Sequence, residues 1–301
     1  MGTLLDALWR AGAYCLHPWV VLWSLLPMLL VSALTLGLGY LYWEAAVDAV
    51  RATLEGWALT AALLLWLESL GAQTLRALLA PLIIVALTVP VIVVLTLLLV
   101  AVALMPALVS LVARRRFAGL ERRRGASPPW CALRAVALSV LALLVLAASV
   151  PLWLVPPLAL VLPPLVLAVL AVHLLAYGAL AAHASVGERH ALLAGRRRSL
   201  WVIGLVVGLL IAMPSLLWAA GALALVFAPL LATVAIVLYV LIFVFAGLWF
   251  AHYLLAVLQA GRKAEAEAVV EVDPAKPAGP GPVELLPLPA VPPPTTSATT
   301  P

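Results

Sequence analysis

The stretch "PLIIVALTVPVIVVLTLLLVAVALMPALVSLVARRR", Pro81 to Arg116, decides the fold of this chain. It carries no charged residue as far as Ala113 and then ends in three consecutive arginines. About 20 apolar residues of helix cross a bilayer core, and burying one arginine at its centre costs about 2.5 to 3.5 kcal/mol. The stretch therefore predicts a long transmembrane helix, tilted or kinked at Pro90 or Pro106, that ends where its arginines reach water or headgroups.

The composition of the whole chain supports this interpretation. Of the 301 residues, 66% are hydrophobic and 10% are charged, against about half and a quarter in ordinary soluble domains. The charges are clustered, and four long runs contain none: 11–43, 77–113, 135–187 and 199–261. These features predict an all-α integral membrane protein.

The charge and cysteine content narrow the functional class. The pI is about 9.6, but the basic residues form short bursts beside apolar runs, without the aromatic-interleaved basic face of a nucleic-acid binder. No nucleic-acid partner is expected. Cys15 and Cys131 are too few for a disulfide framework, so two free thiols are expected.

The N-terminal region predicts interfacial amphipathic helices around a first span. Residues 3–16 fit a short helix in the membrane interface, and His17-Pro18 marks a break. The first transmembrane helix is expected from about Trp19 to Tyr42. Residues 44–57 then predict an amphipathic helix on the membrane surface.

Two proline-broken helical hairpins are predicted after the arginines. The apolar sequence from Trp130 to His183 is interrupted by "VPPLALVLPP", Val155 to Pro164, where we place a turn. The sequence from Ser199 to Ala260 has breaks at Pro214 and Pro229. Each hairpin could be two full spans, which gives six in total and is favoured by the pattern alone, or a re-entrant hairpin covered by protein.

The basic bursts predict the topology. Because positive residues favour the cytoplasmic side, the bursts at 114–124, 189–198 and 262–263 should be cytoplasmic. This gives a multi-pass membrane protein with both termini cytoplasmic. Six arginines are expected to anchor the topology and contact lipid: Arg114, Arg115, Arg116, Arg122, Arg123 and Arg124.

We expect residues 1–260 to form the membrane domain and residues 261–301 to form a disordered, proline-rich cytoplasmic tail. The tail holds segments such as "VPPPTTSATTP", which cannot bury enough apolar surface to fold.

The sequence shows little sign of enzymatic chemistry. It lacks the G-x-S-x-G and phosphate-loop patterns, and no cofactor is expected. No metal site is expected either, because the spacing of His183, Glu188 and His190 does not place them on one helical face. His173 and His252 are interpreted as neutral, hydrogen-bonded histidines of the bundle.

An anion pathway would need donors and positive charge at its mouth, with broken helices whose N-termini face the ligand. The prolines at 156–157, 163–164, 214 and 229 are candidate breaks. The candidate anion-binding residues are Arg10, His17, Arg189 and Arg196. Gly204 and Gly208 form a small-xxx-small pair that is expected to pack helices rather than line a pore.

Three stretches carry a resemblance to a known family. They are "LHPWVVLWSLLPMLL" with Leu25-Leu26-Pro27, "LMPALVSLVARRR" with Pro106, and "LLAYGALAAHASVGERHALLAGRRRSLWVIGLVVGLLIAMPSLLWAAGA". In this order and spacing, they resemble the etoposide-induced protein 2.4 domain family, whose bacterial members include the CysZ sulfate permeases. The resemblance covers about Leu4 to Leu258.

The resemblance implies two long transmembrane helices plus re-entrant helical hairpins, assembled as homo-oligomers. It also implies transport of sulfate or a similar small oxyanion for sulfate assimilation. CysZ proteins place Gly-Leu-Arg near the start of the first span as an anion contact, whereas this chain has Trp19-Val20-Val21 there. The competing hypothesis is a non-transporting membrane scaffold that binds anionic lipid or protein partners.

Overall fold

The computed structural model of the chain describes residues 2–69, 71, 73–123, 125–154, 156–214 and 227–272. Within these residues all regular structure is helical, and no strand occurs. The all-α prediction is therefore confirmed. The chain divides into two units, Met1–Ala260 and Gly261–Pro301.

Two helices form the N-terminal part, α1 (Gly2–Cys15) and α2 (Pro18–Gly56). The break predicted at His17 is present, because His17 is the N-cap of α2 and Pro18 begins the helix. Helix α2 does not stop at Tyr42. It continues through the residues predicted as a separate surface helix, because residues 42–55 contain neither the proline nor the glycine that would end it.

The predicted long second span is confirmed as consecutive helical segments. They are α4 (Gln73–Leu99), a π turn (Val100–Leu104) and α5 (Met105–Arg116), and a separate helix, α3 (Ala58–Ser69), precedes them. Between α3 and α4, Gly71 adopts a φ of 75°, a conformation that glycine adopts readily. In the π turn the Met105 N–H donates to the Val100 carbonyl, and the next residue, Pro106, has no N–H to continue the α pattern.

The first hairpin is present, but its turn lies earlier than predicted. It comprises α6 (Pro128–Ser149), a 3-10 turn (Val150–Leu154), α7 (Pro156–Ala171), a π turn (Val172–Ala176) and α8 (Tyr177–Leu180). Pro156 begins α7, where a missing N–H has no consequence because first-turn N–H groups are unbonded. Pro163-Pro164 lie inside α7, so the second proline pair does not break the chain as predicted.

Two helices of unequal length occupy the region where the second hairpin was predicted. After α9 (Val186–Gly195) come α10 (Arg197–Ala212) and α11 (Ala228–Val272), and residues 215–226 between them lie outside the described residues. Helix α10 ends just before Pro214, as predicted. Pro229 does not break the second of these helices, because it falls in the first turn of α11, where proline is tolerated.

Helix α11 is a third long helix, in addition to the two long transmembrane helices that were expected. It includes residues 261–272, which the sequence analysis assigned to a disordered tail. That part of the prediction is wrong because "GRKAEAEAVVEV" is rich in strong helix formers, and the first proline of the tail is Pro274. The proline-rich remainder, residues 273–301, lies outside the described residues.

Among the described residues, five helices are long and apolar enough to cross a membrane, so the chain is a multi-pass membrane protein. They are Pro18–Gly56, Ala77–Arg116, Pro128–Trp153, Leu160–Leu180 and Leu230–Glu267. Both legs of the first hairpin are included. Helix α10 has 16 residues, which span about 24 Å and fall short of a bilayer core of about 30 Å.

The predicted packing role of Gly204 and Gly208 is confirmed. Both are buried on the face of α10 that packs against α7. A Cβ atom on Gly204 would lie 2.3 Å from Cγ2 of Val172, and one on Gly208 would lie 2.8 Å from Cβ of Ala168. The two helices approach this closely because neither glycine has a side chain.

Candidate functional site

A buried arginine lies at the start of α9, in the loop region between the two hairpins. Arg189 has 4% of its surface exposed. Its Nη2 donates a hydrogen bond to the carbonyl of Gly125 at 3.3 Å, and its guanidinium carbon lies 4.2 Å from the ring centroid of Tyr177. Its Nη1 is buried and makes no hydrogen bond to a described residue. One of the four predicted anion-binding residues therefore holds a buried positive charge with an unused donor.

A second arginine lies on the same tyrosine. The guanidinium carbon of Arg134, in α6, lies 4.0 Å from the ring centroid of Tyr177. Its Nη1 makes a long hydrogen bond of 3.5 Å to the carbonyl of His173. That carbonyl lies in the π turn before Tyr177, where the Tyr177 N–H bonds to the Leu174 carbonyl instead of the His173 carbonyl. The irregular turn thus changes the backbone pattern where Arg134 binds.

A close backbone contact positions Arg189. The N–H of Gly125 donates to the carbonyl of Ala184 at 3.1 Å, and a Cβ atom on Gly125 would lie 2.2 Å from that carbonyl oxygen. The loop that follows the first arginine burst can approach the start of α9 only with glycine at this position. The approach brings the Gly125 carbonyl to Arg189.

The carboxylate next to Arg189 in sequence has other partners. Glu188 Oε2 accepts a hydrogen bond from the backbone N–H of Ser185 at 2.7 Å, which forms a capping box for α9. Its Oε1 accepts one from Nη1 of Arg123 at 3.0 Å. Among the described residues, no carboxylate lies within ion-pair distance of Arg134 or Arg189.

Arg10 lies in a different cluster, where it pairs with an acid. Its Nε donates to Oδ1 of Asp6 at 2.8 Å, while Nη2 of Arg116 donates to Oδ2 of the same carboxylate at 2.6 Å. The hydrogen bonds from Arg116 and Arg10 hold the pKa of the Asp6 carboxyl below its ordinary value. Arg116, predicted as a topology anchor, therefore also joins α5 to α1.

The remaining two anion candidates lie at helix ends. Nδ1 of His17 accepts a hydrogen bond from the Trp19 N–H at 3.2 Å and so caps α2. Arg196 lies between α9 and α10, in an open cleft of about 790 Å³ that also contains Arg197 and Arg198. Arg10 bonds to Asp6, His17 caps α2 and Arg196 lines the cleft between α9 and α10, so each of these three candidates has partners different from those of Arg189.

The other arginines that were predicted to anchor the topology are mostly exposed to solvent. Arg114, Arg115 and Arg122 are exposed. Arg123 pairs with Glu188 at 3.0 Å and with Glu121 at 3.8 Å. Arg124 lies outside the described residues.

The two histidines of the apolar runs differ in their hydrogen bonding, and both cysteines are free. His173 is hydrogen-bonded as predicted, with Nδ1 at 2.8 Å from the Val169 carbonyl. His252 is fully buried, but neither ring nitrogen bonds to a described residue, and its ring packs edge-on against Tyr14 at 4.9 Å. Cys15 and Cys131 are free thiols, as predicted, and burial raises the pKa of the Cys15 thiol.

Prolines inside two of the helices line a cavity that is apolar rather than charged. A cavity of about 290 Å³ is lined by Pro90, Pro163, Pro164 and neighbouring apolar side chains. Its polar lining groups include Tyr239 and the indole of Trp153, whose Nε1 donates to Ser149. None of the described residues that line this cavity is charged, so the arginines at Tyr177 are not part of its lining.

Sequence analysis missed Arg134 and Tyr177. Arg134 is the last charged residue before the charge-free run 135–187, and it lies inside a candidate span. An ionisable residue in such a position indicates a functional site by default, so this signal was present in the sequence. The contact with Tyr177 depends on how the hairpin closes, and no local pattern reveals it.

Comparison with known proteins gives one family. The family described as "Sulfate transporter CysZ/Etoposide-induced protein 2.4" matches residues 7–221, more than half of the chain. No curated protein and no solved structure matches the chain significantly.

Proposed function

This chain belongs to the sulfate transporter CysZ/etoposide-induced protein 2.4 family, and from that premise we propose that it carries sulfate or a similar small oxyanion across a membrane. The observation that supports this function best is the buried guanidinium of Arg189, which has a free donor and no carboxylate at ion-pair distance among the described residues. A buried charge is normally paired, so an anion is the ligand that this environment favours.

The proposed orientation follows from the basic loops. Exposed Arg114, Arg115 and Arg122, together with Arg196 in its cleft, would face the cytoplasm and contact anionic headgroups. The membrane would be a bacterial inner membrane, with both termini on the cytoplasmic side. We further propose that residues 1–260 act as the membrane domain and the remainder as a cytoplasmic tail.

The proposed activity moves an anion and makes or breaks no covalent bond. It therefore requires neither a catalytic group nor a cofactor. The long exposed apolar face of α2, from Leu22 to Leu38, is suited to lipid or to a second copy of the chain, and we propose a homo-oligomer on the strength of the family resemblance.

Uptake of radiolabelled sulfate into proteoliposomes that contain the purified chain tests the function. We expect uptake above that of protein-free vesicles. Arg189→Gln should lower the rate at least tenfold because it removes the buried charge, whereas Arg115→Gln, at an exposed position, should not. Uptake by the unaltered chain that never exceeds the protein-free level contradicts the proposal and leaves a scaffold that does not transport.

A further inference from the structure

The two arginines on Tyr177 are close enough to share one ligand. Their guanidinium carbons lie 4.0 Å and 4.2 Å from the same ring centroid, so they are at most 8.2 Å apart, the sum of these two distances. Arg189 is also close enough to Arg134 for its charge to act on Arg134 electrostatically. Two like charges at this separation in a partly buried environment repel one another.

The tyrosine ring and the two backbone carbonyls only partly offset these charges. A ring face attracts a guanidinium group through its quadrupole, and the carbonyls of His173 and Gly125 each accept one hydrogen bond. All these partners are neutral. Because the nearest acid in sequence, Glu188, bonds to Ser185 and Arg123, the pair keeps a charge of about two positive units.

We propose that Arg134 and Arg189 together bind one tetrahedral oxyanion with two negative charges. This inference rests on the proposed function, because it assigns the substrate class and the second residue of the same site. Guanidinium groups bind sulfate-like and phosphate-like oxygens through paired N–H donors at about 2.8 Å. The Nη1 donors of Arg189 are unused and buried, and a divalent anion neutralises both arginines where a monovalent anion neutralises one.

The fold explains why these two residues meet. Arg134 lies in the second turn of α6, and Tyr177 lies near the end of the return leg of the same hairpin. Both positions are therefore at the open end of the hairpin, where the loop at Gly125 and the start of α9 are docked. The same doubly charged, tetrahedral oxyanion chemistry is present in free sulfate and in the phosphate monoester of a lipid such as phosphatidic acid.

Calorimetric titration of the purified, detergent-solubilised full chain with sodium sulfate tests the site. We expect sulfate to bind, and chloride to bind at least tenfold more weakly. Arg134→Gln should weaken sulfate binding at least tenfold, because Arg134 is half-buried and its replacement leaves Arg189 alone with the ligand. Arg134→Lys keeps the charge but loses the paired donors, so it should retain an intermediate affinity. Arg51→Gln serves as the matched control and should bind as the unaltered chain does, because the Arg51 side chain is 52% exposed and lies 3.8 Å from Asp48, outside the site.

Native mass spectrometry of the same samples distinguishes the two sources of the anion. If free sulfate fails to bind but phosphatidic acid, whose phosphate monoester can carry two negative charges, is retained by the unaltered chain and lost from Arg134→Gln, the site holds a lipid phosphate and the inference stands. If Arg134→Gln changes neither sulfate affinity nor lipid retention, the inference is overturned.

These results are independent of transport. Arg134-dependent sulfate binding without uptake into proteoliposomes would overturn the proposed function and leave the site intact. Uptake combined with unchanged binding in Arg134→Gln would retain the function and overturn the site.

Discussion

At the residue scale, the role of each arginine in a basic burst depends on whether it has an ion-pair partner, not on its position in the sequence. Arg116 and Arg123 come from the same cluster in sequence, yet Arg116 pairs with Asp6 at 2.6 Å and Arg123 pairs with Glu188 at 3.0 Å. Arg114 and Arg115, next to Arg116, are exposed. A single burst therefore supplies both solvent-facing anchors and specific ion pairs.

Asp6→Asn should loosen α1. The substitution removes the carboxylate that accepts hydrogen bonds from Arg116 and Arg10, so α1 should exchange its amide hydrogens faster and be cleaved sooner by protease. Asp48→Asn is the matched control, because Asp48 pairs weakly with Arg51 at 3.8 Å and its side chain is 74% exposed. Equal protection of α1 in both variants would contradict a role for the Asp6 pairs.

The same carboxylate predicts a pH dependence. The pKa of Asp6 is lower in the folded chain than its ordinary value of 3.8. The stability it contributes is therefore fully present above that value and is lost as the pH falls through the folded pKa. The difference in melting temperature between the unaltered chain and Asp6→Asn should shrink in this acidic range, and thermal unfolding in detergent measures it. A difference that stays constant down to the lowest pH would contradict the assignment.

At the element scale, two of the predicted proline breaks do not occur, whereas the predicted glycine packing does. Pro163-Pro164 lie inside α7, and Pro229 lies in the first turn of α11, so neither breaks a helix. The glycines of α10 fix how closely two helices pack. A proline inside a helix removes its own N–H donor and crowds the carbonyl four residues earlier, and the sequence does not show whether neighbouring groups tolerate that change.

Gly204→Ala should destabilise the pairing of α7 and α10 by about 1 to 3 kcal/mol, because the new methyl group overlaps Val172. Combining it with Val172→Ala should recover part of that loss, since the overlapping atom is removed. Gly37→Ala in α2 is the control. A Cβ atom there meets nothing within 4 Å, so stability should be unchanged or rise by up to about 1 kcal/mol. Denaturant unfolding in detergent measures the unaltered chain, the single variants Gly204→Ala, Val172→Ala and Gly37→Ala, and the double variant. Strictly additive losses in the double variant would contradict the overlap.

At the scale of the whole molecule, the transmembrane segments could be predicted from the sequence, whereas their pairing could not. Each charged side chain is costly to bury in a bilayer, so the charge-free run from Pro81 to Ala113 was enough to predict a span there. Arg134 and Arg189 lie on different elements, and their common contact with Tyr177 depends on hairpin closure. Likewise, Asp6 and Arg116 meet only when α1 packs beside the end of α5.

The length of the first hairpin predicts full spans. Pro128–Trp153 has 26 residues, about 39 Å of helix, which exceeds a hydrocarbon core of about 30 Å. In a chain with Cys15→Ala and Cys131→Ala, Leu152→Cys in the exposed turn should react with a membrane-impermeant maleimide added to intact cells. Arg115→Cys should react only after lysis. A Leu152→Cys thiol that stays unreactive from both faces would indicate a re-entrant hairpin instead.

The long-range contacts of α1 also determine when during synthesis this helix can pack against its partners. Asp6 bonds to a residue 110 positions later, and the Leu4 carbonyl accepts a hydrogen bond from Trp249, 245 positions later. At about 5 to 20 residues per second, the ribosome delivers Arg116 roughly 5 to 20 s after Asp6, and Trp249 roughly 12 to 50 s after Leu4. Helix α1 is therefore made well before both of its partners, and its contact with Trp249 cannot form until most of the described chain has been synthesised.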